Sequence, residues 1–301
     1  MRWVIGTLVA AACAPALDPV EVALDQAPPP GSFLLDTSPL VRGGPLTLTA
    51  TGVAPGVTVT FAASPDLTGA GVCPPGIRPS CLELAAPVYT LGTAVADAGG
   101  AASLSRTPGP AVPGRFEVQA GAVIGGRAYL SNSTAVVVLP GPGRASLETR
   151  PWSGEGAASV ADVRRIYAEA ELEAVGYGWT LLPDTASFSN QTTLGGYGSS
   201  IVFHFAVAIW VDPPGGAWSF RYGPDFGGGG ALLVDGAEAA SRWSDMWWGG
   251  DWATPDATLM VADLPLTPGY HMVEVFGLEG GADGAQAFEV LAPGSPGWAP
   301  L

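Results

Sequence analysis

The chain has 301 residues, 48% of them hydrophobic and only 13% charged, with 43 Gly, 29 Pro and a net charge of −15. All 12 basic residues are arginine, which excludes P-loop, kinase-lysine and Schiff-base chemistry. A pI near 4.3 argues against nucleic-acid binding by phosphate neutralisation, and the apolar content excludes a disordered chain.

Taken in chain order, residues 1–12 read as a secretory signal peptide: Arg2 supplies the positive start, an apolar run follows, and small residues precede Cys13. The run is too short to span a bilayer, which takes about 20 residues. Small residues directly before Cys13 resemble the lipobox of bacterial lipoproteins. That resemblance implies cleavage before Cys13 and its lipidation, so that the chain meets the membrane through the lipid alone. Ala14 rather than Asp at the next position implies onward sorting to the outer membrane or cell surface. An ordinary signal peptide with an incidental cysteine is the competing reading. Residues 13–31, with Asp18, Glu21 and Asp25 ahead of Pro28, Pro29 and Pro30, then form an acidic, proline-ending spacer.

From residue 32 the pattern changes to short β-prone runs separated by turns, at 46–51, 57–61, 88–95, 101–105, 115–120, 126–131 and 135–139. Such spacing predicts a β-sandwich over residues 32–140. The segment resembles bacterial immunoglobulin-like modules of secreted surface proteins. Within it Cys73 and Cys81 flank a proline-rich loop without zinc-type spacing. In an exported chain they are expected to form a structural disulfide, which stabilises by roughly 2.5 kcal/mol for so short a loop.

Residues 144–301 differ in character. Residues 32–140 balance five Arg against five acids and hold no tryptophan, whereas 141–301 hold six Arg, 19 acids and nine of the ten tryptophans. An N-cap signature at Ser159 with Asp162 three residues on predicts a helix over about 159–175, with Glu169, Glu171 and Glu173 on a solvated face. Strands are predicted at 201–211, 217–222, 231–234, 258–264, 270–277 and 286–291. In the first of these Ile201, Phe203, Phe205, Val207, Ile209 and Val211 share one face and His204 falls on the other. The fold class is therefore all-β, two antiparallel sandwiches in tandem, the second jelly-roll-like with one short helix.

Four pieces in order carry a resemblance to the PA14 family: WSFRY at 218–222, Asp225 with a glycine run, ALLVDG at 231–236, and Trp243, followed by YHMVEVFG at 270–277. The sequence is also similar to a group of exported bacterial proteins with a Gly-x-Glu-x-Cys-Cys-Asp-Gly turn. Here that turn reads GLEGGADG at 277–284, without the cysteines. The resemblance implies a PA14-like β-sandwich and, because the family includes glycan-binding adhesins, a polysaccharide ligand. In PA14-type lectins adjacent aspartates hold calcium; only Asp225 stands at that place, with Asp251 as a partner it would need.

The segment 243–252 concentrates Trp243, Asp245, Trp247, Trp248, Asp251 and Trp252. Indole faces stack on sugar rings while carboxylates accept hydroxyl hydrogen bonds, so these six are the candidate ligand-binding residues. The same indoles could instead plug one end of the sandwich as core, or meet an envelope protein partner. No nucleophile elbow, HExxH or complete dinucleotide fingerprint occurs, and no cofactor is implied beyond calcium. The expectation is a non-catalytic binding or adhesion protein of the cell envelope. A structural envelope protein is the alternative. A carboxylate-dependent glycoside hydrolase stands behind it, since two acids leave no sequence trace of their spacing.

Overall fold

A computed structural model describes residues 32–65, 71–77, 80–109, 112–254 and 257–301. The expected signal segment, Cys13 and the spacer to residue 31 lie outside the described residues.

The first unit contains β1 (Leu34–Thr37), β2 (Leu40–Val41), β3 (Leu46–Thr51), β4 (Thr58–Ser64), β5 (Tyr89–Val95), β6 (Ala102–Arg106), β7 (Arg115–Ile124) and β8 (Arg127–Leu139). Two sheets form, in the orders β1-β3-β6 and β2-β8-β7-β4-β5. The chain crosses from one to the other between β1 and β2, and β2 then runs parallel to β8. Strict alternation in β3 turns Leu46, Leu48 and Ala50 inward, where they meet Phe61, Val118, Ala120 and Val136 of the facing sheet. Segments 126–131 and 135–139 are one continuous strand rather than two. The polar residues between them remain in the ladder because a bulge at Ala120 absorbs the irregularity, with the Ala120 N–H donating to Ser131 Oγ at 2.9 Å. Cys73 and Cys81 are disulfide-bonded in the connection between β4 and β5.

The second unit contains β9 (Ala145–Pro151), α1 (Val160–Glu169), β10 (Gly178–Leu181), β11 (Ile201–Val211), β12 (Gly216–Gly223), β13 (Asp225–Phe226), β14 (Gly230–Val234), β15 (Ala237–Arg242), β16 (Met246–Trp247), β17 (Leu259–Leu266), β18 (Gly269–Glu279) and β19 (Ala287–Leu291). A six-stranded sheet, β10-β9-β11-β18-β14-β15, faces a three-stranded one, β17-β12-β19. Between them lies an aromatic core in which the alternate residues of β11, from Ile201 to Val211, pack on Phe188, Phe220, Tyr222, Phe226 and Phe288. The protein is thus all-β, with one α-helix among the described residues.

The helix covers the other face of the six-stranded sheet, burying Val163, Ile166 and Tyr167 against Val202, Leu233, Phe276 and Leu278. Ser159 caps it by accepting from the Asp162 N–H at 3.2 Å. It ends at Glu169, six residues short of the predicted end. Ala170 is already extended, with ψ 141°, and no residue of 171–175 is buried, Val175 being 83% exposed. Glu171 and Glu173 therefore leave the helix. Glu173, at φ +56°, turns back to pair with Arg115 of the first unit while remaining exposed.

Candidate functional site

The two-residue strands β13 and β16 form a ribbon at one end of the second unit, with Asp225 opposite Trp247 and Phe226 opposite Met246. Phe226 and Met246 enter the core, so the pleat turns Trp247 outward, where it is 70% exposed. Asp245 and Asp251 are also exposed. Beside the ribbon, Trp248 lies flat on the backbone of Gly223, where any Cβ would meet its ring. Trp248 approaches Trp252 at 4.7 Å between ring centroids. Trp252 covers the Arg221 guanidinium at 4.3 Å, and Trp298 covers it at 4.5 Å. Glu289 pairs with the same guanidinium. The result is a half-buried ladder of three indoles and one arginine on the outer face of the three-stranded sheet. The Trp248 Nε1–H is buried there without an acceptor.

Of the six candidate residues, five surround this ribbon and ladder. Trp243 does not join them, because it packs with the helix cluster on the far face of the six-stranded sheet. Arg221, Glu289 and Trp298 complete the ladder and were not foreseen. For Arg221 the signal was present in the alternation of WSFRY, which sends Phe220 and Tyr222 inward and Arg221 outward. Trp298 comes from the C-terminal segment and carries no local pattern.

Three more carboxylates converge behind the ribbon. Asp225 Oδ2 accepts from the Gly284 N–H, Glu279 accepts from Gly227 and Gly281, and Asp283 Oδ2 accepts from the Gln191 N–H at 2.8 Å. Burial raises the proton affinity of all three above the ordinary carboxylate range, and these backbone donors only partly oppose it. Asp225 is raised further by Asp245, and Asp283 by Asp225. Asp225 is held by Gly284, whereas Asp251 Oδ1 accepts from the Ala253 N–H in its own turn. Among the described residues no group of three or more His, Cys, Asp or Glu is arranged to hold a metal ion.

A second concentration of charge fills the seam between the units. Glu148 Oε1 accepts from Arg115 at 2.8 Å and from Arg150 at 2.9 Å, with all three side chains buried. Burial alone would raise the Glu148 pKa, but Arg150 and then Arg115 override it and hold it at about 2. Arg150 also donates to the Tyr167 carbonyl and to Thr134 Oγ1 of β8, and stacks on the Tyr167 ring at 3.8 Å. His204 sits between Tyr167 Oη at 3.3 Å and Glu274 Oε1 at 3.0 Å. His271 contacts Asp235 Oδ2 at 2.6 Å and the Thr267 carbonyl at 2.7 Å. Each histidine thus has both ring nitrogens engaged.

No protein-family model matches the chain, and no curated protein matches it. Among solved structures, the PA14 domain of MpAFP antifreeze protein is 11% identical over 52% of this chain and 86% of its own, with a TM-score of 0.36. The epithelial adhesin 6 A domain from Candida glabrata, solved with Galb1-3GlcNAc, is 11% identical over 52% of this chain and 82% of its own, at 0.32. An anti-sigma factor domain-containing protein from Clostridium clariflavum covers 87% of both chains at 12% identity and 0.32. Scores this low describe a shared β-rich character and nothing finer.

Proposed function

We propose that this chain is an exported, envelope-anchored protein that binds polysaccharide without catalysis, through the ribbon of its PA14-like second unit. The single observation that carries this reading is Trp247, 70% exposed, with exposed Asp245 beside it and buried Asp225 opposite it in the ribbon. An indole so placed offers a face for a sugar ring and leaves carboxylate oxygens within reach of its hydroxyls. The first unit serves as an immunoglobulin-like spacer. Its strand order, with one early segment shared between two sheets and running parallel to the last strand, supports that part. Cys13 carries the lipid in this account, and mass spectrometry of the mature N-terminus tests it: an unmodified or uncleaved Cys13 removes the anchor.

Glycan-array binding of the wild type against Trp247→Ala tests the ribbon. Loss of signal with an unchanged melting temperature supports it, and identical profiles end it. The ladder favours a second reading, a structural envelope protein with no small ligand, since Trp248, Trp252 and Trp298 spend much of their surface on Gly223 and Arg221. On that reading no glycan binds and only Trp248→Ala or Trp252→Ala has an effect, a lower melting temperature.

A further inference from the structure

We infer that the cleft between the two units is a second binding site, one that takes a neutral oligosaccharide. The cleft has a volume of about 410 Å³, within the range of small-molecule sites. One wall comes from β1 and β3 of the first unit, including Asp36, Thr47 and Thr49. The other comes from the start of β18 and the β14–β15 turn, including Tyr270 and Asp235. It goes beyond the ribbon and does not depend on it. Tyr270 begins β18 and Glu279 ends it, so the two sites lie about 30 Å apart at roughly 3.3 Å per residue.

Tyr270, which lines the cleft, is 52% exposed. It is braced: Trp210 meets it edge-on at 4.9 Å, and the Trp210 indole N–H is itself tied to Asp212 Oδ1 at 2.8 Å. The ring is therefore held in place at the cleft without being covered, which is the arrangement that stacking on a sugar face needs.

The cleft holds three carboxylates, Asp36, Asp235 and Glu274, against Arg164 and His271. Arg164 lies 3.0 Å from Asp36 and 3.7 Å from Glu274. His271 faces a carboxylate on one nitrogen and a carbonyl on the other; both accept, which favours the protonated ring paired with Asp235. Its raised proton affinity agrees, the Thr267 carbonyl and Asp235 outweighing burial. No cation is left over for an anionic ligand. The carboxylates retain free lone pairs and are held by backbone donors, Asp36 by Thr37 and Asp235 by Met272. Fixed acceptors, threonine hydroxyls and one braced aromatic ring suit an uncharged polyol.

Calorimetric titration of the intact chain with cellotetraose, xylotetraose, maltotetraose, chitotetraose and tetragalacturonate tests this. At least one neutral tetrasaccharide should bind. Tyr270→Ala should weaken that binding tenfold or more, and Thr47→Arg, which fills the cleft from the opposite wall, should do the same. Trp247→Ala should leave it within twofold, so the ribbon can fail while the cleft stands, and the reverse. Melting curves show whether each variant remains folded. The inference is overturned if no neutral probe binds, if tetragalacturonate is preferred, or if binding survives both cleft variants and falls with Trp247→Ala.

Discussion

Two groups of buried carboxylates, at the seam and at the ribbon, differ in proton affinity. In the seam, Glu148 is surrounded by two guanidinium groups and stays ionised down to about pH 2. At the ribbon, Asp225, Glu279 and Asp283 receive neutral donors, backbone N–H groups and, at Asp283, the Ser189 side chain, and are pushed upward by burial. Burial is common to both, so the difference lies in what neutralises the charge. Two guanidinium groups at 2.8–2.9 Å overcome desolvation at Glu148, whereas amide dipoles offset only part of it at the ribbon. The seam is built to hold two units together. The ribbon places carboxylates without a cationic partner beside an exposed indole.

The comparison can be broken at its strongest point first. Glu148→Gln leaves Arg115 and Arg150 buried without a countercharge and should cost about 3–5 kcal/mol in denaturant unfolding. A loss below 1 kcal/mol would mean that water reaches the seam. Next, Trp248→Ala should cost about 2 kcal/mol, less than a fully buried indole, because one side of the ring already faces solvent.

The pH dependence of stability separates the two regions further. Glu148 is depressed in the folded state, so its contribution is present above about pH 4.5 and fades as pH falls towards 2. The ribbon carboxylates are raised, so they bind protons more tightly when folded and their contribution fades as pH climbs above the ordinary carboxylate range. Asp225→Asn should accordingly raise the melting temperature at pH 7 by a few degrees and have no such benefit near pH 3; a drop at pH 7 would place a bound cation or donor at Asp225. Smallest of all, Trp247→Ala should change stability by no more than about 0.5 kcal/mol. A larger loss would mean that its exposed ring is packed in solution.

Parts of this were readable from the chain. Alternation from Ile201 to Val211 predicted which residues enter the core and put His204 on the opposite face, because side-chain direction in a strand has a period of two. The N-cap at Ser159 was equally local. The C-terminal end of α1 was not, since the helix stops where its apolar face runs out of sheet to cover. The short strands β13 and β16 carry no periodicity at two residues each, so the opposition of Asp225 and Trp247 could not be anticipated. Trp243 shared a segment with Trp247 and Trp248, yet the edge strand β15 carries it to the helix side.

Sequence alone determined the β-rich class, the change in charge and tryptophan between the two halves, the cysteine pair and the inward face of β11. These follow from composition and from neighbours a few residues apart. Tertiary structure alone decided that Arg115, Glu148 and Arg150 share one buried seam, that Arg221 lies between Trp252 and Trp298, and that Tyr270 looks into a cleft walled by β3. Apart from the Glu148–Arg150 pair, those contacts join residues 30 to more than 200 positions apart in the chain. Such a contact depends on how strands are ordered in a sheet and how two sheets meet, which no local pattern of residue types records.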